Sequence, residues 1–144
     1  LVEITGGEPL LQPAVHPFMT SLCDQGYEVL IETSGSLDIS PIDYRVTVIM
    51  DLKAPGSGEV SKNHWENIPL LKPTDEVKIV LLDRADFDWA AEVCKEYALD
   101  SRVKHVHFSP VHGELEASQL AAWILEERLP VRLNLQIHKF LGVE

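Results

Sequence analysis

Short polar runs follow five apolar, strand-like segments of this sequence. They are Thr5-Gly6-Gly7-Glu8, Glu32-Thr33-Ser34-Gly35, Asp51-Leu52-Lys53, Ser109-Pro110 and His138-Lys139. In the first run, two glycines let the backbone approach a ligand closely, and the Glu8 carboxylate can accept a hydrogen bond from an ammonium group. The carboxyl ends of parallel strands meet at one edge of a sheet, where α/β proteins bind ligands. We therefore predict one small-molecule site at this edge, with ordinary turn chemistry as the alternative for any single run.

Six short segments rich in apolar and β-branched residues are predicted to be the strands that position these runs. They span residues 2–5, 28–33, 46–52, 77–82, 106–108 and 131–137. Most of them are continuously apolar, which is typical of strands buried on both faces in a parallel sheet. Three amphipathic helices are predicted between them, on the apolar stripes Val15, Phe18, Met19, Leu22 and Cys23; Ala90, Val93, Cys94 and Tyr97; and Ala117, Leu120, Ala121, Ile124 and Leu125.

The predicted helix ends rest on single residues. Gly26 is expected to end the first helix, Asp86 or Asp88 to cap the second, and Arg128 to lie in the last turn of the third. Residues 34–45 and 54–74 lack a helical pattern, apart from room for a short helical turn at 65–71. Strands alternating with helices indicate βαβ units, so we expect an irregular α/β sheet or a partial barrel.

The composition is that of an acidic, foldable chain. Its 144 residues, 45% of them hydrophobic, fit a single domain over residues 1–144. With 12 Lys+Arg against 23 Asp+Glu, the net charge is −11, which argues against nucleic acid as a partner. No apolar run approaches the length of a membrane span, so we expect no membrane partner and a cytoplasmic location. The sequence opens on a strand-like run without an initiator Met, and we expect it to be a piece of a longer protein.

The two cysteines do not form a metal site in the sequence. Cys23 and Cys94 are far apart and have no Cys or His companion at metal-ligand spacing. Both lie on apolar helical stripes, so we expect them to be small buried hydrophobic residues.

Several of the motifs together resemble one enzyme superfamily. Gly6-Gly7-Glu8-Pro9 after a strand is similar to the GGEP motif of radical S-adenosylmethionine enzymes, and Glu32-Thr33-Ser34-Gly35 resembles the segment after their third strand. Within that superfamily, residues 50–58, 77–90 and 135–142, together with Asn63, Trp65 and Glu66, resemble the 7-carboxy-7-deazaguanine synthase family. The resemblance extends over nearly the whole chain.

The resemblance implies a fold, an activity and a set of partners. The fold would be a partial, irregular (β/α)6 TIM-like barrel of the radical S-adenosylmethionine type with a mostly parallel six-stranded sheet. The family uses S-adenosyl-L-methionine, a [4Fe-4S] cluster and Mg²⁺ to convert 6-carboxy-5,6,7,8-tetrahydropterin into 7-carboxy-7-deazaguanine with loss of ammonia, in queuosine biosynthesis. The resemblance also implies that the enzyme is a lyase and a homodimer, and that flavodoxin or ferredoxin is its electron donor.

The resemblance also assigns roles to residues at the predicted sheet edge. Those expected to bind the cofactor are Gly6, Gly7, Glu8, Thr33, Ser34, Asp51, Leu52, Lys53, Ser109, Pro110, Val111 and His112. Those expected to bind the pterin are Thr5, His138 and Glu144. Asp51-Leu52-Lys53 stands where relatives often have Ser-Pro-Lys, and Ser109-Pro110 stands where they have Gln-Pro, so Lys53 and Pro110 transfer most directly.

The cluster cysteines of the superfamily lie before its GGEP motif, and no such residues stand there in this sequence. A [4Fe-4S] cluster requires thiolates, so we expect no metal ligand in this chain and no turnover by the chain alone. Two other functions stay open on the sequence: an activating enzyme for a glycyl-radical partner, and a noncatalytic α/β module that binds a nucleotide.

Overall fold

The computed structural model describes residues 1–137, 139 and 142 of the chain. Six parallel strands form one sheet in the order β1-β2-β3-β4-β5-β6, which is also their order along the chain. Their bounds are β1 Val2–Ile4, β2 Val29–Thr33, β3 Thr47–Lys53, β4 Glu76–Leu81, β5 His105–Pro110 and β6 Arg132–Leu133. The parallel α/β sheet is confirmed, and its sequential strand order is that of an open section of a (β/α) barrel.

Three of the helices lie where the apolar stripes predict them, and the short helix Leu99–Arg102 was not predicted. Their bounds are α1 Val15–Asp24, α2 Arg84–Glu96, α3 Leu99–Arg102 and α4 Ala117–Glu126, with 3₁₀ turns at Pro9–Leu11, Pro55–Ser57, Val60–Lys62 and Trp65–Leu70. The last of these is the short turn expected at 65–71. No helix in the described part of the chain is both long enough and apolar enough to cross a membrane.

The strands β2, β3 and β4 each bury one face only, which corrects the expectation of strands buried on both faces. In β3, Val48, Met50 and Leu52 are buried, whereas Ile49 and Asp51 between them are partly exposed. The buried face packs against the helices, with Met19, Phe87 and Leu120 in one hydrophobic core with the strand residues. None of α1 to α4 packs on the other face, and we call it the inner face. Its half-exposed positions tolerate the charged residues that alternate with the core residues.

Three predicted element ends need correction. Asp83, not Asp86 or Asp88, caps α2 by accepting a hydrogen bond from the Asp86 amide at 3.0 Å. Arg128 lies beyond the end of α4, in a left-handed conformation with φ of 52°. The sixth strand is two residues long instead of reaching residue 137, because Ile137 is already helical. Gly26 does end α1, with φ of 82° and its amide donating to the Cys23 carbonyl.

Buried polar side chains hold the connections that have no helix. Asn67 is fully buried; its Oδ1 accepts from the Ile39 amide and its Nδ2 donates to the carbonyls of Gly35 and Leu37. It therefore satisfies the backbone of the 34–45 segment, which would otherwise carry unpaired polar groups into the interior.

Asp86 likewise satisfies backbone amides of the segment after β3 and of the residue that follows β4. Its carboxylate is buried and accepts hydrogen bonds from the Gly56 amide at 2.8 Å and the Leu82 amide at 3.0 Å. An added Cβ at Gly56 would lie 2.5 Å from Asp86 Oδ2, so the backbone can approach this closely only because residue 56 is glycine.

We predict that Asp86→Ala lowers the free energy of unfolding by about 2–4 kcal/mol, because it removes a buried carboxylate and leaves two partly buried amides without their acceptor. Urea titration of the protein measures this change. Asp88→Ala is the matched control, since Asp88 is exposed and pairs only with Arg84 nearby on α2. We expect that variant to lose less than about 1 kcal/mol. Equal losses in the two variants would contradict the role assigned to Asp86.

Candidate functional site

The carboxyl ends of β1, β2 and β3 converge on one polar cavity, which Lys78 from within β4 also lines. The cavity has a volume of about 120 Å³ and is lined by Thr5, Gly7, Glu32, Thr33, Ser34, Ile49, Asp51, Lys53 and Lys78. Three of the predicted polar runs contribute to it, so the sheet brings them to one place as the parallel topology requires. The cavity opens beside the Gly6-Gly7 turn, where both glycines have positive φ (95° and 54°) and neither has an atom near the position of a Cβ.

Glu8 connects the turn after β1 to the turn after β2. Its carboxylate accepts hydrogen bonds from the Leu10 amide at 3.1 Å and from the Thr33 hydroxyl at 2.9 and 3.0 Å. It also accepts from the Ser34 amide at 2.7 Å and from the Ser34 hydroxyl. Both oxygens are thus used within the protein, and the Thr33 and Ser34 hydroxyls point to Glu8.

These hydrogen bonds favour the ionised form of Glu8. Burial alone would raise the pKa of the carboxyl group, but the hydrogen bonds from Ser34, Leu10 and Thr33 outweigh it and lower the pKa below the usual 4.5. The ionised form is therefore the one that holds the two turns together. This arrangement makes Glu8 a positioning residue for the Gly6-Gly7 backbone.

The end of β3 presents a carboxylate and an ammonium group on the inner face. Lys53 Nζ lies 2.7 Å from Asp51 Oδ2, and both side chains are partly exposed. The backbone of Lys53 is fixed from the opposite side by the buried Asn63, which accepts from the Lys53 amide and donates to its carbonyl, both at 2.9 Å. The second carboxylate oxygen, Asp51 Oδ1, is buried and has no hydrogen-bond partner.

Two further cavities extend this edge toward β5. One, of about 430 Å³, is lined by Asp51, Leu52, Lys53, Ala54, Gly56, Ser57, Lys78, Val80, Leu82, Asp86, Val111 and Gln136. The other, of about 340 Å³, includes Pro110, His112 and Gln136. Val111 and His112 therefore lie at the edge as expected from the sequence. Gln136 lines both cavities.

The remaining expected site residues are placed differently. The Leu52 side chain is 1% exposed and belongs to the hydrophobic core, so only its backbone faces the site. Ser109 is fully buried, lines none of these cavities, and its hydroxyl has no hydrogen-bond partner. The assignments of His138 and Glu144 lie outside the described residues. The described sixth strand ends at Leu133, so the His138-Lys139 run does not directly follow it.

Lys78 and Gln136 are site-lining residues that the sequence analysis did not single out. The signal for Lys78 was present in β4, where Glu76, Lys78 and Val80 alternate with the buried Val77, Ile79 and Leu81. That alternation places Lys78 on the same face as Asp51, its register partner on β3. No comparable pattern marks Gln136.

The described residues offer no metal centre. Across positions 1–137, 139 and 142, no group of three His, Cys, Asp or Glu side chains could hold a metal ion. Cys23 is partly buried on α1 and Cys94 is buried on α2, both as free thiols. Burial raises the pKa of the Cys94 thiol to about 12, which keeps it protonated and a poor metal ligand.

We predict that Glu8→Gln weakens the pH dependence of stability. The lowered pKa of Glu8 adds stability above its unfolded value, and that contribution is lost as the pH falls through the folded value. Between about pH 5 and pH 3, wild type should lose more unfolding free energy than Glu8→Gln, as measured by urea titration at each pH. Glu3→Gln, on an exposed residue of β1, should follow the wild-type curve. Parallel curves for all three proteins would contradict the assignment.

Comparison of the sequence finds close relatives that share one name. The 7-carboxy-7-deazaguanine synthase of Koribacter versatilis is 44% identical, and the match covers 98% of this chain and 68% of that protein. The enzyme of the same name from Chlorobaculum tepidum is 41% identical over 97% of this chain and 64% of its own length. That from Methanospirillum hungatei is 37% identical over 99% and 58%. The chain thus spans between 58% and 68% of the length of these relatives.

Comparison of the fold finds a more distant neighbour. The crystal structure of Streptococcus suis SuiB bound to S-adenosylmethionine superposes with a TM-score of 0.62 at 12% identity, over 93% of this chain and 39% of that one. This likeness supports the α/β arrangement of the strands. No family model matches the sequence. At 44% identity over nearly its whole length, this chain belongs to the 7-carboxy-7-deazaguanine synthase family.

Proposed function

We propose that this chain forms the cofactor- and substrate-binding part of an enzyme that converts 6-carboxy-5,6,7,8-tetrahydropterin into 7-carboxy-7-deazaguanine with loss of ammonia, a lyase reaction. The observation that carries the proposal is the convergence of three strand ends on one polar cavity beside an open Gly-Gly turn. That arrangement occurs in a chain whose relatives carry the name of this enzyme.

The residues at the sheet edge fit S-adenosylmethionine, the ligand to which SuiB is bound in its crystal structure. The exposed backbone of Gly6 and Gly7 would meet the ammonium group of its methionine moiety, because the Glu8 carboxylate is already saturated by protein donors. Asp51 and Lys53 would meet its ribose hydroxyls and carboxylate, and the unpartnered Asp51 Oδ1 is an acceptor available to such a donor. Thr5 lines the same cavity and would contact the pterin.

When bound together with an iron–sulfur cluster, S-adenosylmethionine would supply radical chemistry. The described residues of this chain do not fit the cluster itself, since they include no set of neighbouring thiols. In our proposal the cluster thiolates, and the residues that hold Mg²⁺, belong to another part of the full-length protein. This chain contributes binding and orientation: it fixes the turn through Glu8, and it fixes the β3 end through Asn63.

The rest of the proposal concerns partners and location. We place the pterin as the small-molecule substrate, flavodoxin or ferredoxin as the electron donor, and a homodimer as the assembly. A cytoplasmic location fits the two free cysteines, because reducing compartments keep thiols unpaired.

The test is an anaerobic assay of the full-length protein with a reconstituted cluster, S-adenosylmethionine, Mg²⁺, a reductant and the carboxylated pterin. We expect 7-carboxy-7-deazaguanine to form, to fall when Mg²⁺ is omitted, and to be absent when the 144-residue chain is assayed alone. Cleavage of S-adenosylmethionine without conversion of the pterin would replace the proposed substrate. Failure to bind S-adenosylmethionine would leave a noncatalytic module.

We also predict that Glu8→Ala in the full-length protein weakens S-adenosylmethionine binding roughly 10- to 100-fold. A loss of this size is comparable to the loss of one charge-assisted hydrogen bond. The reason is indirect, since removing the carboxylate releases the Gly6-Gly7 backbone from the β2 turn. Isothermal titration calorimetry measures the dissociation constant. Glu3→Ala, on the exposed side of β1, is the matched control and should bind as wild type. Unchanged affinity in Glu8→Ala would remove the turn from the binding site.

A further inference from the structure

Lys78 occupies the inner face at the middle of the sheet. It lies on β4 between Val77 and Ile79, which are both fully buried in the core on the opposite face. In register, it stands opposite Asp51 of β3 and His107 of β5. A lysine here is flanked by strands on both sides, so its ammonium group can reach only the space above the inner face.

The ammonium group of Lys78 has no partner in the described part of the chain. The neighbouring basic residues on the inner face differ, because Lys53 pairs with Asp51 at 2.7 Å and a His107 ring nitrogen lies 2.8 Å from Glu76. Neither the ion pairs nor the hydrogen bonds of the described residues include Lys78. Its side chain is nevertheless only partly exposed. A half-buried cation without an anion is unfavourable, so the position favours a negatively charged group from outside the described residues.

The cavities show where that group would be. Lys78 lines both the 120 Å³ cavity beside the Gly-Gly turn and the 430 Å³ cavity that reaches Gln136. The acidic residues that line these two cavities have other partners. Asp51 Oδ2 pairs with Lys53, Glu32 accepts a hydrogen bond from the Thr5 hydroxyl at 3.2 Å, and Asp86 accepts from the Gly56 and Leu82 amides. The charge of Lys78 therefore remains for a ligand that fills the space between the two cavities.

We propose that Lys78 binds a carboxylate group of the ligand held at this edge of the sheet. The proposal rests on the proposed function, in which the methionine moiety of S-adenosylmethionine and the carboxylated pterin each bring one carboxylate. Lysine acts as a compact point charge with three donors, so it can hold a carboxylate without the planar fit that arginine requires. Asp51 Oδ1, which has no hydrogen-bond partner among the described residues, accepts a hydrogen bond from a neighbouring N–H or O–H of the same ligand.

The experiment uses the reconstituted full-length protein and compares wild type with Lys78→Met, Lys78→Gln and Lys78→Arg. Calorimetry gives the dissociation constants of S-adenosylmethionine and of its decarboxylated form. Steady-state assays give KM for the carboxylated pterin and the inhibition constant of tetrahydropterin, which lacks that carboxylate. Lys104→Met is the matched control, because Lys104 is exposed at the opposite end of the sheet, just before β5.

We expect Lys78→Met and Lys78→Gln to weaken one carboxylated ligand about 10- to 100-fold, with partial recovery in Lys78→Arg. The loss of affinity should be absent for the corresponding ligand that lacks the carboxylate. Whichever carboxylated ligand is affected is the one whose carboxylate Lys78 binds. Unchanged constants in both variants would overturn the proposal, as would an equal penalty for the carboxylated and decarboxylated ligands. Wild-type protein that neither binds S-adenosylmethionine nor converts the pterin would instead overturn the proposed function.

Discussion

The helices α1, α2 and α4 all pack on the same face of this sheet, and most other features of the structure follow from that constraint. The covered face must be apolar, so Val48, Met50 and Leu52 of β3 are buried among helix residues. The inner face is free of that requirement and collects the charged residues of the strands. Asp51, Lys53 and Lys78 can therefore stand side by side in the middle of a parallel sheet without the penalty that a closed apolar layer would impose.

The loops at the carboxyl edge are fixed to each other by a few polar side chains. Glu8 joins the turn after β1 to the turn after β2, Asn63 holds the end of β3, and Asp86 ties the following segment to the start of α2. In each case the side chain accepts hydrogen bonds from backbone amides at the ends of strands or in the turns that follow them. The edge is thus ordered by hydrogen bonds, while the sheet beneath it is ordered by apolar packing.

The sequence predicts the elements well where their periodicity is long, as in α1 with its Gly26 terminus. It fails where two signals compete. The sequence of β4 resembles a continuously apolar strand because Val80 is apolar. Glu76 and Lys78 nevertheless indicate an alternating strand with one partly exposed face. Asp86 resembles a helix cap by type and position, but its carboxylate is needed by Gly56 and Leu82, and the cap falls to Asp83. The short β6 could not be predicted, because its length depends on pairing with β5 and not on its own residues.

The same competition limits prediction of the site. The convergence of three polar runs follows from parallel topology, and the sequence suffices for it. The sequence does not predict which polar atoms remain available to a ligand. Glu8, Thr33 and Ser34 form hydrogen bonds with one another only once the two turns are adjacent. The strand order has a separate consequence for assembly. Each strand pairs with its immediate predecessor in the chain, so successive units can dock as they leave the ribosome, without waiting for a later strand to insert between earlier ones.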